Sequence, residues 1–427
     1  MAGPAIRSWE FARHLAREHD VTLSVPAECD LAHEEFALVV ADPSDHRSMW
    51  PLVRDHDVVV AQFLPPETML KAADSPVRTI YDLYDPFHLE NLAREPARTT
   101  AGRLNVRVTE LALELALRTG DSFLCASEKQ RDLWLGALGA LGRLDRDGYL
   151  HDPSFREFVA VVPFGLQPAR PTSGPPRLKG VLPGVGAQDR VLLWGGGLWD
   201  WLDPLTPIRA TAKLLKHRDD VRLVFLGIRH PNPLFAEMDM TARAMRLADE
   251  LGVRERGVVF NDGWVPYDER GSFLLEADIG ISAHPDTVEA RFAFRTRIVD
   301  YLWAGLPVIA TQGDELAELV SSRGLGSTVG FGDVDGWAAA IERLLEPEAN
   351  AAARKRAEEV SHEFEWPRVL EPLARLVVLP GVRRRIGGAA RLRFAEYLAI
   401  RAQLSHEHRG TFGMAARVAR RLSGTRR

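Results

Sequence analysis

Short apolar runs alternate with stretches of helical periodicity along the first 166 residues. Helical patterns lie at 5–19, 66–73, 100–118 and 128–140, between several of the apolar runs. The predicted strands are VTLSV (21–25), FALVVA (36–41), VVVAQF (58–63), VRTIYD (77–82), SFLCAS (122–127) and FVAVVP (158–163). Nearly continuous apolar strands suit a parallel sheet that is covered on both faces. This part of the chain therefore predicts an α/β domain.

The same alternation restarts at about residue 189. Predicted helices lie at about 204–217, at 238–251, 267–276 and 295–304, and from 314, 334 and 352. The predicted strands are RVLLWGGG (190–197), VRLVFLG (221–227), GVVFND (257–262), DIGISA (278–283) and LPVIAT (306–311). Asp203 is expected to cap the first of these helices and Pro204 to begin it. The whole pattern predicts two doubly wound, Rossmann-like domains.

The segment between the two series lacks periodicity and is rich in proline and glycine. Such a composition is typical of a connection between domains. We therefore expect an N-terminal domain over 1–166, a linker over 167–188, a C-terminal domain over 189–375 and a tail over 376–427.

The charge is unevenly distributed, although the composition of 46% hydrophobic and 26% charged residues is that of a globular protein. From Arg383 onward there are 12 arginines and two acidic residues, a net charge of +10 in a chain whose total is −5. On a helix, Ala415, Val418, Ala419 and Leu422 would face away from Arg417, Arg420 and Arg421. We expect a cytoplasmic protein whose segment 383–427 binds the anionic inner face of the cell membrane. The alternatives are a solvated tail or a nucleic-acid contact, and we expect no nucleic acid as partner.

The loop GGGLWDW (195–201) is the first candidate site in the second domain. Three glycines after a strand, Gly195, Gly196 and Gly197, allow backbone amides to approach an anion closely. The alternative is a plain tight turn. Trp199 and Trp201 are either packing residues or a wall beside a ligand.

The stretch EARFAFRTRIVDYLWAGLPVIAT (289–311) carries the strongest chemistry. Arg295 and Arg297 at the start of a predicted helix would form a diphosphate site together with the helix N-terminus. Glu289 and Asp300 add acceptors for sugar or ribose hydroxyls. The alternative is an ordinary surface ion pair between Arg297 and Asp300, which are three residues apart on one helix face.

In the first domain, YDLYDPFHLE (81–90) follows a predicted strand and concentrates Asp82, Asp85, His88 and Glu90. The spacing fits no standard metal site, so we expect no metal. Asp85 before Pro86 is also a good helix start. If this segment faces an acceptor, His88 and Asp82 are the first candidates.

The order of these loops resembles the retaining glycosyltransferases of family 4, which have the GT-B fold. The resemblance covers about residues 1–375 and is carried by GPAIR (3–7), VVPFGL (161–166), GGGL, VFLG, FNDGWVPYDERGSFLLEADIGISAHP (260–285) and DYLWAGLPVIAT. It implies two Rossmann-like domains facing a cleft, with a nucleotide-sugar bound to the second domain and no metal or other cofactor. It also implies that Gly3 approaches a phosphate or the acceptor and that Arg7 lies in the first helical turn.

Carried over by position, the family's ribose-binding acidic residue is Asp300. The acidic residue that contacts the donor sugar would fall at Phe292, so Glu289 is a nearby substitute. A diphosphate-binding lysine usually follows the GGGL loop, where this chain has Asp200 and Asp203. Arg297 must then bind the diphosphate, with help from Arg229 or Arg295.

The resemblance implies transfer of a sugar from a nucleotide-sugar donor with retention of the anomeric configuration. The acceptor would be a glycan, a lipid-linked saccharide or a small metabolite, in the synthesis of cell-envelope polysaccharide. The alternatives are a non-catalytic GT-B-like scaffold subunit, which the departures above favour, and a nucleotide-sugar epimerase of the same fold.

The turn GPAIR stands at the start of the chain, whereas the family's first domain opens with an apolar strand before this turn. We expect an apolar strand to be encoded upstream of Met1 in the natural gene.

Overall fold

The computed structural model describes residues 3–29, 31–94, 99–228, 238–263, 265–380 and 387–423, with side chains up to residue 405 apart from 93 and 94. The chain forms two compact units. Unit 1 comprises Met1–Val21, Ala126–Gln130 and Val162–Pro372. Unit 2 comprises Thr22–Cys125, Arg131–Val161 and Leu373–Arg427.

The strands of unit 2 are all parallel to their neighbours. They are β1 (Thr22–Val25), β2 (Ala37–Val40), β3 (Val58–Ala61), β4 (Arg78–Asp82), β5 (Ser122–Cys125) and β6 (Val159–Val161). Strands β3 to β6 form one sheet in sequence order, and β1 pairs with β2 separately. Every strand predicted in this half is present, but they form a four-stranded sheet and a separate pair.

Helices occupy most of the connections in this half. They are α1 (Gly3–Leu15), α2 (His46–Arg54), α3 (Pro66–Ala73), α4 (Phe87–Arg94), α5 (Thr100–Thr119), α6 (Glu128–Ala140) and α7 (Arg146–His151). The predictions for 66–73 and 128–140 are confirmed to the residue. The first helix, α1, belongs to unit 1.

The sheet of unit 1 is parallel and six-stranded. Its strands are β7 (Arg190–Gly197), β8 (Val221–Gly227), β9 (Val258–Phe260), β10 (Ile279–Ser282), β11 (Val308–Thr311) and β12 (Gly326–Val329). Their order across the sheet is β12-β11-β10-β7-β8-β9. The order reverses between β7 and β10, and ligands of doubly wound sheets bind outside the carboxyl ends of the strands at such a switch point. The prediction of a doubly wound parallel domain is confirmed.

The helices of the second half follow these strands. They are α8 (Leu205–Leu214), α9 (Asp239–Glu250), α10 (Arg270–Glu276), α11 (Val288–Phe292), α12 (Thr296–Trp303), α13 (Glu315–Ser322), α14 (Val334–Leu345), α15 (Pro347–Ser361), α16 (Trp366–Val369), α17 (Glu371–Val378) and α18 (Gly388–Ser423). Alternate residues of β7 enter two apolar clusters, one containing Leu192 and Trp194 and the other Val191 and Leu193. Both faces of the strand are therefore covered, as its continuous apolar sequence predicts.

Residues 167–188 contain no helix or strand and pack onto unit 1. Leu178 and Val185 are buried in its core. The Glu276 carboxylate accepts hydrogen bonds from the backbone amides of Leu178 at 3.1 Å and Lys179 at 2.8 Å. This segment is fixed to unit 1 along part of its length.

The described part of the predicted tail is docked on unit 2. Helix α18 packs along α5. Arg107 Nη2 lies 2.6 Å from Glu396 Oε1, and Arg393 Nε lies 3.0 Å from Glu114 Oε1. Ala390 and Leu404 are buried. A solvated tail is therefore the wrong description for residues 387–405. The predicted lipid-facing side chains, Ala415, Val418, Ala419 and Leu422 with Arg417, Arg420 and Arg421, lie outside the described side chains.

None of the helices searched in the described part of the chain combines the length and apolarity that a membrane-spanning segment requires.

Candidate functional site

The three glycines predicted to form a loop are the last residues of β7. The strand continues to Gly197, with a bulge between Trp194 and Gly197 where its pairing with β8 shifts. Gly196 has a φ of +85°, a conformation that favours glycine. The predicted strand at 190–197 is therefore confirmed to the residue, whereas the predicted loop at 195–201 overlaps the end of this strand and begins only after Gly197. The glycines lie where the strand order reverses.

Tyr301 holds α12 against this end of the sheet. A Cβ added at Gly280 of β10 would lie 2.4 Å from Cδ2 of the Tyr301 ring, and one at Gly195 of β7 would lie 3.3 Å from Cε1. The hydroxyl accepts a hydrogen bond from the Gly195 amide at 2.9 Å and faces the carbonyls of Leu193 and Ile281 at 3.0 and 2.9 Å. Burial raises the pKa of Tyr301 to about 12, so the hydroxyl keeps its proton. The first turn of α12 is thereby fixed beside the glycines.

Arg297 extends from that first turn to the end of β7. Its Nη2 donates to Gly197 O at 3.3 Å, and its guanidinium carbon lies 4.5 Å from the centroid of the Trp194 ring. Its Nη1 is buried and has no hydrogen-bond partner among the described residues. Burial lowers the pKa of Arg297 to about 10. A buried cation with an unused donor is the arrangement expected of a group that binds an anion.

Asp300 does not pair with Arg297, which is three residues earlier on α12. Its Oδ1 lies 3.1 Å from Nε of Arg270, and 27% of its side chain is exposed. The Arg270 guanidinium lies between two rings, 3.6 Å from the centroid of Tyr267 and 4.4 Å from that of Trp303. Burial raises the pKa of Asp300, and Arg270 opposes this. The alternative of a surface ion pair between Arg297 and Asp300 is therefore wrong, and the sequence spacing gave no indication of Arg270.

Glu289 and Arg295 belong to a buried charged group with His284 and Asp314. Arg295 Nη2 donates to Glu289 Oε2 at 2.9 Å. Asp314 Oδ2 lies 3.3 Å from His284 Nε2 and 3.9 Å from Arg295 Nε. All four side chains are at most 6% exposed. The sequence indicated Glu289 and Arg295, but it gave no indication of His284, or of Asp314, which follows the next strand, β11.

Three polar atoms of this group have no hydrogen-bond partner among the described residues: Glu289 Oε1, Arg295 Nε and His284 Nε2. Buried polar atoms without a hydrogen bond are uncommon in folded proteins. Their concentration in the segment that also carries Arg297 indicates a place for polar ligand groups or ordered water.

Asp200 and Asp203, which stand where the family has a lysine, serve as helix caps. Asp203 Oδ1 accepts from the amides of Leu205 and Thr206, each at 3.1 Å, so the predicted cap on α8 is confirmed. Asp200 Oδ1 accepts from the Met240 amide at 2.8 Å, in the first turn of α9. Trp199 and Trp201, which lie in the same loop, stack with ring centroids 5.4 Å apart and pack on the core.

The remaining residues predicted for the donor site are Gly3, Arg7 and Arg229. Gly3 is the first residue of α1. Arg7 is buried and donates to the carbonyls of Val162 at 2.8 Å and Pro163 at 2.9 Å. These bonds fasten α1 to the chain after β6. Arg229 lies outside the described residues.

Helix α1 also contributes a buried carboxylate that was not predicted, that of Glu10. Glu10 is buried and accepts from Gln167 Nε2 at 2.7 Å and from Arg13 Nη1 at 3.1 Å. Burial raises the pKa of Glu10, and the nearby charge of Arg270 opposes this. The helical pattern at 5–19 predicted the helix but not which charged groups it would meet.

Unit 2 contains a cavity of about 280 Å³ beside the carboxyl ends of β3 and β4. Asp82, the last residue of β4, is buried and lines it. Asp85, just before α4, lines it as well. Among the described residues, no group of three or more His, Cys, Asp and Glu side chains could hold a metal ion. The residues around the cavity are Gln62, Phe63, Asp82, Asp85, Phe87, Val108, Thr109 and Ala112.

His88 lies on α4 beside two aromatic rings. Its ring centroid is 5.4 Å from that of Trp134 and 6.0 Å from that of Phe87. Its Nδ1 is buried with no partner among the described residues. Burial lowers the pKa of His88, while Glu110 opposes this. The ring is therefore uncharged at neutral pH.

We expect His88 to make the folded protein sensitive to acid. The unfolded chain takes up this proton at about pH 6.5, whereas the folded chain does so at lower pH, so the free energy of unfolding falls as the pH drops below about 6.5. Replacing His88 by Gln should reduce that fall. Urea unfolding of both proteins at about pH 7.5 and about pH 5 measures it. An unchanged loss of stability in the variant would contradict the expectation.

Residues 189–347 match the family model described as glycosyl transferases group 1. The chain is also 30% identical over 212 residues to a D-inositol 3-phosphate glycosyltransferase of Mycobacterium ulcerans, and 29% identical over 208 residues to that of Mycobacterium marinum. Each match covers 48% of this chain and 40% of the relative. The chain thus spans less than half the length of these curated relatives.

Several solved structures resemble most of the chain. HepE of Anabaena, crystallised with UDP and glucose, gives a TM-score of 0.62 at 17% identity, over 88% of this chain and 97% of HepE. WaaG, a glycosyltransferase involved in lipopolysaccharide biosynthesis, gives 0.58 at 17% identity, over 90% of this chain and 97% of WaaG. At such identities the likeness establishes the fold. The chain therefore has the GT-B fold, and its residues 189–347 match the model of the glycosyl transferases group 1.

Proposed function

We propose that the protein is a retaining glycosyltransferase that takes its sugar from a nucleotide-diphosphate donor. The observation that carries this proposal is the buried, unpartnered Nη1 of Arg297 beside the glycines of β7, at the point where the strand order reverses. The solved complex of HepE with UDP and glucose supports a donor of this class.

The donor would bind with its diphosphate against Arg297 and the backbone of Gly195 to Gly197. Asp300, oriented by Arg270, would accept hydrogen bonds from ribose hydroxyls. Glu289, held by Arg295, would face the sugar with its unused Oε1. In this assignment one short segment around the start of α12 contacts all three parts of the donor.

In the proposed reaction, the bond between the anomeric carbon and the diphosphate oxygen breaks, giving a transition state with oxocarbenium character. Negative charge then builds on the departing diphosphate, and Arg297 stabilises it because its guanidinium is already in place and poorly solvated. The acceptor hydroxyl attacks from the same face and gives its proton to the leaving phosphate. The configuration at the anomeric carbon is retained.

The acceptor that we propose is a glycan, a lipid-linked saccharide or a small metabolite of cell-envelope synthesis. The arginines of residues 383–427 would bring the enzyme to the anionic inner face of the membrane. The name of the mycobacterial relatives, D-inositol 3-phosphate glycosyltransferase, supports a small-molecule acceptor. The description of WaaG as involved in lipopolysaccharide biosynthesis supports an acceptor of the cell envelope.

A non-catalytic scaffold of the same fold is the second candidate. Two observations favour it: Phe292 stands where the family has an acidic residue, and Asp200 and Asp203 are committed to helix caps. Such a scaffold would not need to bind a nucleotide.

The proposal is tested by incubating the full chain with UDP-, GDP- and dTDP-sugars and an extract of candidate acceptors. We expect one nucleotide to raise the melting temperature and its sugar conjugate to release free nucleotide. NMR of the purified product should show the anomeric configuration of the donor. An inverted product would contradict retention, and the failure of every nucleotide to bind would favour the scaffold.

A further inference from the structure

We infer that His284 and Asp314 are positioning residues, which hold the carboxylate of Glu289 in place for the donor sugar by acting through Arg295. The role of Glu289 towards the sugar rests on the proposed function. The support that the other three side chains give to Glu289 rests on their distances and their burial.

The carboxylate of Glu289 needs support from outside its own helix. Glu289 is in α11, which has five residues and is too short to be rigid by itself. Its Oε2 accepts a hydrogen bond from Arg295 Nη2 at 2.9 Å, whereas its buried Oε1 has no partner among the described residues. Arg295 directly precedes α12, so this bond ties one short helix to the start of the next. The position of Oε1 therefore depends on where the guanidinium of Arg295 lies.

Asp314 faces the same edge of that guanidinium. The edge consists of Nε and Nη2: Glu289 binds Nη2, and Asp314 Oδ2 lies 3.9 Å from Nε. That separation is too long for a hydrogen bond. The attraction between the opposite charges is nevertheless strong, because all these side chains are at most 6% exposed. Arg295 is thus held by two carboxylates, and a change in either would move it.

His284 contacts the oxygen of Asp314 that faces Arg295. Its Nε2 lies 3.3 Å from Asp314 Oδ2. The imidazole is itself fixed, because Nδ1 lies 3.2 Å from Pro285 O and the ring centroid lies 5.8 Å from that of Phe331. A shift of the Asp314 oxygen would therefore disturb its contact with a ring that has little freedom to follow.

Both positioning residues are anchored near the sheet. His284 lies two residues after β10, and Asp314 lies three residues after β11, the neighbouring strand. The His284 amide donates to Thr311 Oγ1 at 3.3 Å, and Asp314 Oδ1 accepts from the Ala317 amide at 2.7 Å as the N-cap of α13. The support therefore runs from two central strands, through these two side chains and Arg295, to the short helix α11.

The alternative is a buried charged group that serves the fold alone. Such a group is expected to use its donors and acceptors internally. In this group Glu289 Oε1, Arg295 Nε and His284 Nε2 have no hydrogen-bond partner within the described part of the chain. The two possibilities also differ in what a variant should lose, since a role in the fold affects stability, whereas a positioning role affects turnover.

The variant Asp314→Asn tests the inference because it removes the charge and keeps a good helix cap. Without the attraction, Arg295 and Glu289 should shift, and the turnover number should fall about 10- to 100-fold with the nucleotide-sugar that the parent uses. The affinity for UDP should stay unchanged, because Tyr301 fixes the helix that carries Arg297. Nucleotide release and calorimetric titration with UDP measure the two quantities.

A control and a double variant make the outcome decisive. Asp145→Asn makes the same change at an exposed N-cap of unit 2, which accepts from the Gly148 amide at 2.7 Å, and it should alter neither quantity. Combining Glu289→Gln with Asp314→Asn should lower turnover no further than Glu289→Gln alone, because Asp314 acts through that carboxylate. Additive losses would overturn the inference, and so would an unchanged turnover number in Asp314→Asn or an equal loss of UDP affinity.

Hydrogen exchange of the full chain without ligand separates this inference from the proposed function. Asp314→Asn and His284→Gln should speed exchange about tenfold in peptides covering 287–296, whereas Asp145→Asn should not. Unchanged exchange in both variants would mean that Glu289 lacks this support, and the inference would fall. If exchange is faster while the parent releases nucleotide from no UDP-, GDP- or dTDP-sugar, the proposed function fails and the support of Glu289 stands.

Discussion

Replacing Arg297 by methionine should strongly weaken nucleotide binding and leave the folded protein as stable as before or more stable. The guanidinium is buried against Trp194 with one nitrogen unpaired, so its charge is unfavourable in the absence of a ligand. Methionine fills a similar space without that charge. Loss of a buried charged contact to the diphosphate should weaken UDP binding by about 2–5 kcal/mol, roughly 30-fold to several thousand-fold.

Calorimetric titration with UDP and thermal unfolding with and without UDP measure the two effects separately. Arg243→Met, at an exposed position of α9, is the matched control and should change neither. A protein with Arg297→Met that still binds UDP with the parent affinity would remove the basis of the proposed donor site. A large loss of stability in the same variant would show instead that the charge serves the fold.

Replacing Gly280 by alanine should destabilise unit 1 by about 3 kcal/mol or more, because the new methyl group would meet the Tyr301 ring. Neither partner can move easily, since Gly280 is in β10 and the tyrosine hydroxyl is bound between two strands. The displacement of α12 should also weaken UDP binding, because Arg297 is in the first turn of that helix. Urea unfolding followed by a titration with UDP checks both effects.

Gly136→Ala is the matched control, because a Cβ at that position in α6 has nothing within 4 Å. Alanine in a helix interior should be stabilising there by up to about 1 kcal/mol. Combining Gly280→Ala with Tyr301→Leu should recover part of the stability that the single alanine loses, as expected for two residues in contact. If Gly280→Ala unfolds at the same urea concentration as the parent, the contact with Tyr301 is not rigid.

The positions of the helices and strands along the sequence were largely predictable, because they depend on local sequence. Apolar runs such as VRLVFLG and SFLCAS became strands in place, and the capping carboxylate of Asp203 marked the start of α8. Strand β12 was missed because GSTV is short, polar and buried on alternate residues only. The glycines were correctly included in the strand β7, but composition alone did not indicate the bulge between Trp194 and Gly197.

The site was only partly predictable because its contacts join distant segments. The spacing of Arg297 and Asp300 correctly placed them on one helix, but Gly197 and Arg270 became their partners. The buried group around Glu289 includes Asp314, which arrives after another strand. Residue type and spacing identify the groups with the right chemistry, whereas the choice of partner depends on the order of strands in the sheet.

The two capping carboxylates after β7 also bear on how this lineage can evolve. A change to lysine at Asp203 would remove the bonds that begin α8 before any phosphate contact was gained, and the same holds for Asp200 and α9. Each such change would thus produce a less stable protein. Selection on this loop should therefore preserve the acidic pair and leave adaptation to new donors to the segment around α12.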